Sequence, residues 1–279
     1  MDESLLSLDR IAKSLPSFEL GPIDLSVHPG SIIAIVGPNS SGKTTLLHTI
    51  MNMLQPNSGK IRLFGQTYDT DNMDVKQRIA YVPDLSVGHD DYTAIELGRF
   101  VAAWYPNWNE AKFEDLIQRF EIDPTTRFSK LSKGKKKALS LARAFAAQPQ
   151  LLLLDEPTSG LDLFAKRVFS EELVRFMEQG ERAVLLTTHI LDDVRRLADY
   201  VALLYRGKLL GMYDKDTLVH NWKVVWLDRI PERLDRIPGL VRNSQENLIP
   251  LMTRSFQETR QALAEENVNI VQTQAMELD

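Results

Sequence analysis

Residues 37–44 read Gly-Pro-Asn-Ser-Ser-Gly-Lys-Thr, a gap-free match to G-x-x-x-x-G-K-[ST]. The octet follows the apolar run Ile32-Ile33-Ala34-Ile35-Val36 and precedes the helix-like Thr45-Leu46-Leu47-His48-Thr49-Ile50-Met51. Buried strand, tight loop and helix are the context that a phosphate-binding loop needs. Gly37 and Gly42 let the backbone turn so that successive N–H groups converge on phosphate oxygens. The helix N-terminus adds partial positive charge. Lys43 is expected to reach the β- and γ-phosphates of ATP, and the Thr44 hydroxyl to ligate Mg²⁺. Pro38, Asn39, Ser40, Ser41 and Thr45 complete the expected nucleotide contact.

Composition sets limits around this motif. The 279 residues are 43% hydrophobic and 25% charged, as in an ordinary globular protein. The net charge of −5 gives no basic footprint, so nucleic acid is not expected as a partner. The chain has no cysteine, which excludes disulfides, thiolate metal sites and thiol catalysis. The acidic start Met1-Asp2-Glu3-Ser4 lacks the basic flank of a signal peptide. No apolar run nears the ~18 residues of a membrane span. The chain is expected to be soluble and not to cross a membrane itself.

Strand-like and helix-like segments alternate along most of the chain. Strands are expected at 23–27, 31–36, 60–64 and 79–82. From about 85 to 130 the character changes to a helix-rich insertion carrying Tyr92, Phe100, Trp104, Tyr105, Trp108 and Phe113. Phe113, Leu116, Ile117 and Phe120 stand at helical spacing. Ala138 to Ala147 reads as an amphipathic helix, and Leu151 to Leu154 as a fully buried parallel strand. A helix is expected over 164–179, a strand over 183–187, and a closing hairpin from Val201 to Met212 around Arg206-Gly207. This pattern predicts an α/β P-loop fold with a mainly parallel sheet, an antiparallel β edge and a helical insertion. Its domain is expected to cover 1–220, with the helical subdomain at about 85–147. Beyond it, 221–279 reads β-α-β-β-α-β, a small α+β domain of ferredoxin-like order with its first helix at 229–237.

Further chemistry follows the loop. Asp155 and Glu156 stand just past the strand Leu151 to Leu154, at the strand end where open α/β sheets bind ligands. Asp155 is positioned to hold Mg²⁺ and Glu156 to polarise the attacking water. His189 ends the next buried strand, where it is expected to contact the γ-phosphate and the attacking water as a second catalytic residue. Leu131-Ser132-Lys133-Gly134-Lys135-Lys136-Lys137 opens the amphipathic helix with Ser132 as its N-cap. Lysines in a first helical turn oppose the helix dipole, so this helix start is expected to face a phosphate.

Together these motifs resemble the ATP-binding subunit of a bacterial ABC transporter. The Walker A loop is Gly37 to Thr44, the Walker B strand Leu151 to Asp155, the D-loop Ser159-Gly160-Leu161-Asp162, and the switch histidine His189. The signature is Leu131-Ser132-Lys133-Gly134-Lys135, where the family usually has L-S-G-G-Q. Tyr105-Pro106-Asn107-Trp108 and the Ser-Lys-Gly signature are most similar to the YtrB-like group, which serves separate ABC-2-type export permeases. The resemblance implies two ATP-binding subunits, identical or paralogous, facing head to tail. Each ATP then lies between one chain's Walker A loop and the other's Ser132, Gly134 and Lys135. It implies a peripheral position on the cytoplasmic face of the membrane, with the helical insertion gripping a permease helix through Trp104, Tyr105 and Trp108. Lipid, peptide and antibiotic export all fit.

Four positions depart from the family pattern. Ser40 replaces a common glycine and is expected to keep a negative φ. Asp84 replaces the Q-loop glutamine and is expected to ligate Mg²⁺. Leu15 occupies the aromatic A-loop position, so adenine stacking is lost unless Phe18 supplies the ring. Lys135 replaces the signature glutamine and is expected to reach the facing ATP, with Lys136 and Lys137 turned to solvent or permease. A rival function, a soluble ABC ATPase acting on nucleic acid or ribosomes, is disfavoured by the single P-loop, the lack of heptads and the acidic balance. A regulatory subunit with little turnover is disfavoured by Glu156 and His189.

Overall fold

A computed structural model of the chain describes residues 4–67, 72–85, 90–221, 223–229, 231, 237, 240–241, 251–253 and 255–275. Its contacts divide the chain into two units, Met1–Met212 and Tyr213–Asp279.

The larger unit opens with a strand that the sequence reading does not contain. Leu6–Leu15 (β1) pairs antiparallel with Phe18–Val27 (β2). Arg10 has φ 48° and the register shifts between Leu8 and Ile11, so the buried Leu6, Leu8 and Ile11 do not keep a period of two. Ile32–Val36 (β3) follows β2 but joins a different sheet. After it come Lys43–Ile50 (α1), Ser58–Leu63 (β4), Gln66–Thr67 (β5) and Met73–Lys76 (α2). One sheet is antiparallel, with order β2-β1-β4-β5.

The second sheet adds Ile79–Val82 (β6), Leu151–Asp155 (β7), Ala183–Thr188 (β8), Tyr200–Tyr205 (β9) and Lys208–Asp214 (β10). Its order is β10-β9-β3-β8-β7-β6, and the run from β9 to β6 is parallel. β7 and β8 are buried along their whole lengths, which is why they read as continuous apolar runs. β9 and β10 form the expected hairpin: Arg206 and Gly207 have φ 46° and 77°, the signs a type I′ turn requires. The parallel topology gathers the carboxyl ends of β3, β6, β7 and β8 on one edge, where the motif residues lie.

In the smaller unit, Lys223–Leu227 (β11), Leu240–Val241 (β12), Leu251–Thr253 (β13) and Ile270–Ala275 (β14) form a sheet of order β12-β13-β11-β14 with antiparallel neighbours. Lys215–Asn221 (α8) packs with Phe256–Glu265 (α9), so the division falls earlier than the expected 220. Most of the helix expected over 229–237, and the strand positions 242 and 248–250, lie outside the described residues.

The insertion contains Ala94–Ala102 (α3), Glu110–Arg119 (α4), a 3-10 turn Phe128–Lys130 and Lys133–Ala146 (α5), followed beyond β7 by Leu163–Met177 (α6) and beyond β8 by Leu191–Leu197 (α7). Thr93 and Glu96 form a capping box at α3. α5 begins at Lys133 with Ser132 as its N-cap, as expected: the Ser132 hydroxyl accepts from the Lys135 N–H, 3.2 Å away. Phe113, Leu116, Ile117 and Phe120 are buried, as their spacing predicts. Glu172 of α6, only 1% exposed, accepts from Lys112 and Arg119 of α4 and fastens the insertion to the sheet layer. Gly98 lets α3 lie close against α4, since a Cβ there would stand 2.4 Å from the Phe113 ring. Gly98→Ala is therefore expected to destabilise the protein by about 1–3 kcal/mol through overpacking, offset in part by the ~1 kcal/mol that alanine gains in helix propensity. Urea denaturation should show a lowered midpoint; an unchanged midpoint would mean that α3 and α4 separate without cost.

Candidate active site

The P-loop leaves β3 and enters α1 through Gly42, whose φ of 107° is closed to other residues. A Cβ there would also meet the Phe18 ring at 2.6 Å. Ser40 takes φ 65°, which corrects the expectation of a negative value. The loop imposes a left-handed turn at this position whatever residue occupies it, at roughly 1–2 kcal/mol for a residue with a Cβ. The Lys43 ammonium is buried and donates to the carbonyls of Gly37 (2.8 Å) and Pro38 (3.3 Å).

The acidic pair is held from several directions. The Thr44 hydroxyl donates to Asp155 Oδ2 at 2.7 Å, and the Thr187 hydroxyl to Asp155 Oδ1 at 2.5 Å. Glu156 has φ 46°, and its N–H donates to the Thr187 carbonyl at 3.1 Å. Its carboxylate lies 2.9 Å from His189 Nδ1 and 3.6 Å from Lys43 Nζ. The structure thus brings Lys43, Thr44, Asp155, Glu156 and His189 together from α1, β7 and β8. Thr187 is a site residue that the sequence reading misses. Its signal is a hydroxyl at the carboxyl end of a buried strand, beside the acidic pair.

Leu15, Phe18, Asn39, Ser40, Ser41, Gly42, Lys43, Thr44, Thr45, Asp84 and Glu156 share a cleft of about 440 Å³. Leu15 and Phe18 are paired across the β1–β2 turn, so that turn leans over the P-loop. The donor set suits Mg²⁺: Thr44 and Asp155 offer oxygens in mutual contact, and no three acidic or histidine groups among the described residues form a cation cage. Mg²⁺ is held by one or two carboxylates together with nucleotide phosphates, so a fuller cage is not required.

The signature residues lie apart from this cleft. Ser132 caps α5, and Gly134 sits where a Cβ would come within 2.5 Å of the Gly160 carbonyl oxygen of the D-loop. Lys135 donates to the Phe120 carbonyl at 2.7 Å and lies 3.6 Å from Glu121, so its ammonium is engaged at the end of α4. Lys136 stacks over the Phe128 ring at 4.9 Å. Lys137 is buried, its Nζ donating to the carbonyls of Pro83 (2.8 Å) and Asp155 (3.1 Å). The expectation that Lys137 turns to solvent or permease is thereby overturned, since it is buried on two carbonyls, whereas Lys136 stays half-buried. Burial lowers the Lys137 pKa, while the Asp84 and Asp155 carboxylates oppose that shift. Burial, helped by the same two carboxylates, pushes the Tyr81 phenol well above its usual range and keeps it neutral.

Comparison with known proteins agrees with this geometry. The family described as ABC transporter matches residues 20–159. The chain is 33% identical over 219 residues to the ABC transporter ATP-binding protein YtrB of Bacillus subtilis (strain 168), covering 78% of this chain and 75% of that one. It is 33% identical over 195 residues to the Nod factor export ATP-binding protein I of Rhizobium etli, covering 68% of this chain and 61% of that one. A solved structure described as the ATP binding subunit of an ABC transporter superposes with a TM-score of 0.71 at 26% identity, over 78% of this chain and 92% of that one. With its P-loop, its acidic pair and a histidine 2.9 Å from Glu156, the chain belongs to the ATP-binding subunits of ABC transporters, a family of ATPases.

Proposed function

We propose that this subunit hydrolyses ATP to drive a separate membrane permease that exports a lipid, peptide or antibiotic. The observation that carries the catalytic part is the Glu156 carboxylate, held between His189 Nδ1 and Lys43 Nζ. There it orients and polarises the water that attacks the γ-phosphate, and His189 keeps the carboxylate aimed. Gly37 to Thr45 bind the phosphates. Thr44 and Asp155 would hold Mg²⁺ together with Asp84, which lines the cleft with Thr44. Bound Mg²⁺ would neutralise charge on the transferred phosphoryl group.

The head-to-tail dimer is supported by the distance of the signature from its own P-loop cleft: Ser132 and Gly134 need a second subunit to meet a nucleotide. Export is supported by the likeness to a Nod factor export protein. No described helix is long and apolar enough to cross a membrane, which fits a peripheral subunit on the cytoplasmic face. The acidic net charge speaks against nucleic acid as a partner. The strand order of the small unit supports its reading as a ferredoxin-like domain.

Glu156→Gln should keep ATP binding and lose turnover by about 10²–10⁴-fold, accumulating as an ATP-bound dimer on size exclusion. Normal steady-state turnover in this variant would remove Glu156 from its role. For the permease contact, Trp104 is the better probe among the three aromatic residues. It is 55% exposed, whereas Trp108 leans on Phe113 at 5.3 Å and the Tyr105 hydroxyl donates to the Ile79 carbonyl. Trp104→Ala should leave stability within about 0.5 kcal/mol and weaken co-purification with the permease. Undiminished co-purification would place the contact elsewhere.

A further inference from the structure

Lys137 is a buried cation that the proposed mechanism leaves unused. It sits in the second turn of α5, 1% exposed, against the segment after β6 and the end of β7. Two of its protons go to backbone carbonyls, that of Pro83 after β6 and that of Asp155 at the end of β7. Its third neighbour is Asp84 Oδ1, 3.7 Å away. That oxygen is itself buried and has no hydrogen-bond partner. Asp84 therefore has an internal counter-ion, close enough for a strong charge interaction yet beyond hydrogen-bond length.

A carboxylate in this position has two claimants. One is the Lys137 ammonium, carried on the helix that begins with Ser132 and Gly134. The other is a divalent cation in the cleft that Asp84 shares with Thr44 and Glu156. A buried lysine beside a metal ligand also repels the metal directly, because Coulomb energies at these distances exceed thermal energy even at an effective dielectric near ~20. We propose that Lys137 is a positioning residue that competes with Mg²⁺ for Asp84. It holds the segment after β6 and the end of β7 against α5, and it sets the Mg²⁺ affinity of the site below what the acids alone would give. This inference rests on the reading of Thr44, Asp84 and Asp155 as the Mg²⁺ site.

The test is calorimetric titration of Mg²⁺ into the full chain saturated with a non-hydrolysable ATP analogue. Lys137→Gln removes the charge and keeps a donor for the two carbonyls. It should bind Mg²⁺ about tenfold more tightly, as loss of one nearby positive charge implies. In an Asp84→Asn background, the same substitution should change Mg²⁺ affinity by less than about threefold, since the contested carboxylate is gone and only longer-range repulsion remains. Lys137→Met, of similar length, is the second variant should the glutamine fail to fold. A lysine that merely filled space would shift the melting temperature and leave the Mg²⁺ constant alone. Affinity within about twofold of the parent in both Lys137 variants, or an equal gain with and without Asp84, overturns the inference while leaving the metal site standing. Absence of Mg²⁺ binding in parent and variants alike would overturn the metal site and the inference together; loss on Asp155→Asn confirms that the titration reads the intended site.

Discussion

Asp155 is the point on which the site depends. Its two oxygens are taken by hydroxyls from different elements, Thr44 of α1 and Thr187 of β8, and its own strand is β7. One carboxylate thus ties the helix after the phosphate loop to two neighbouring strands. The side chain is 1% exposed, so these hydrogen bonds form where an unpaired charge would be costly. The arrangement fixes the carboxylate beside Thr44 of the phosphate-loop helix. It also places the next residue, Glu156, so that its N–H reaches Thr187 and its carboxylate reaches His189.

That placement requires backbone strain at the reacting edge. Ser40 and Glu156 both have positive φ, at 65° and 46°. Each costs on the order of 1–3 kcal/mol and persists only because surrounding contacts over-determine it. At Glu156 the contacts are the Thr187 carbonyl and hydroxyl, at 3.1 and 3.2 Å. At Ser40 the constraint is the loop itself, closed by a hydrogen bond from the Ser41 N–H to the Pro38 carbonyl and by the Lys43 ammonium on two loop carbonyls. Strain of this kind lies on the link between fold and function, since relaxing it would turn Glu156 away from His189.

The lysine-rich start of α5 shows how tertiary contacts decide an electrostatic question that local rules leave open. Cations in a first helical turn are unfavourable, each by a few tenths of a kcal/mol when exposed. Three of these lysines are not simply exposed. Lys135 lies on the carbonyl end of α4, where a cation is favoured, Lys136 on an aromatic face, and Lys137 on two carbonyls beside a carboxylate. The local penalty is outweighed by acceptors that no stretch of nearby sequence could have announced.

The α/β fold, the phosphate loop, the acidic pair and the histidine are legible along the chain. Those signals are local: a glycine spacing, a run of leucines ended by acids, a strand ended by histidine. Contacts between distant segments settled the rest. β1 was illegible because a left-handed residue at Arg10 shifts its alternation, and only pairing with β2 and β4 identifies it as a strand. Thr187 became a site residue because parallel β7 and β8 set Asp155 opposite it in register. Lys137 became a buried partner of Asp84 because α5 packs beside β6, bringing together residues 53 positions apart in the chain. Sequence spacing carries information about neighbours along one element, and burial of a charge is settled by which other element supplies its partner.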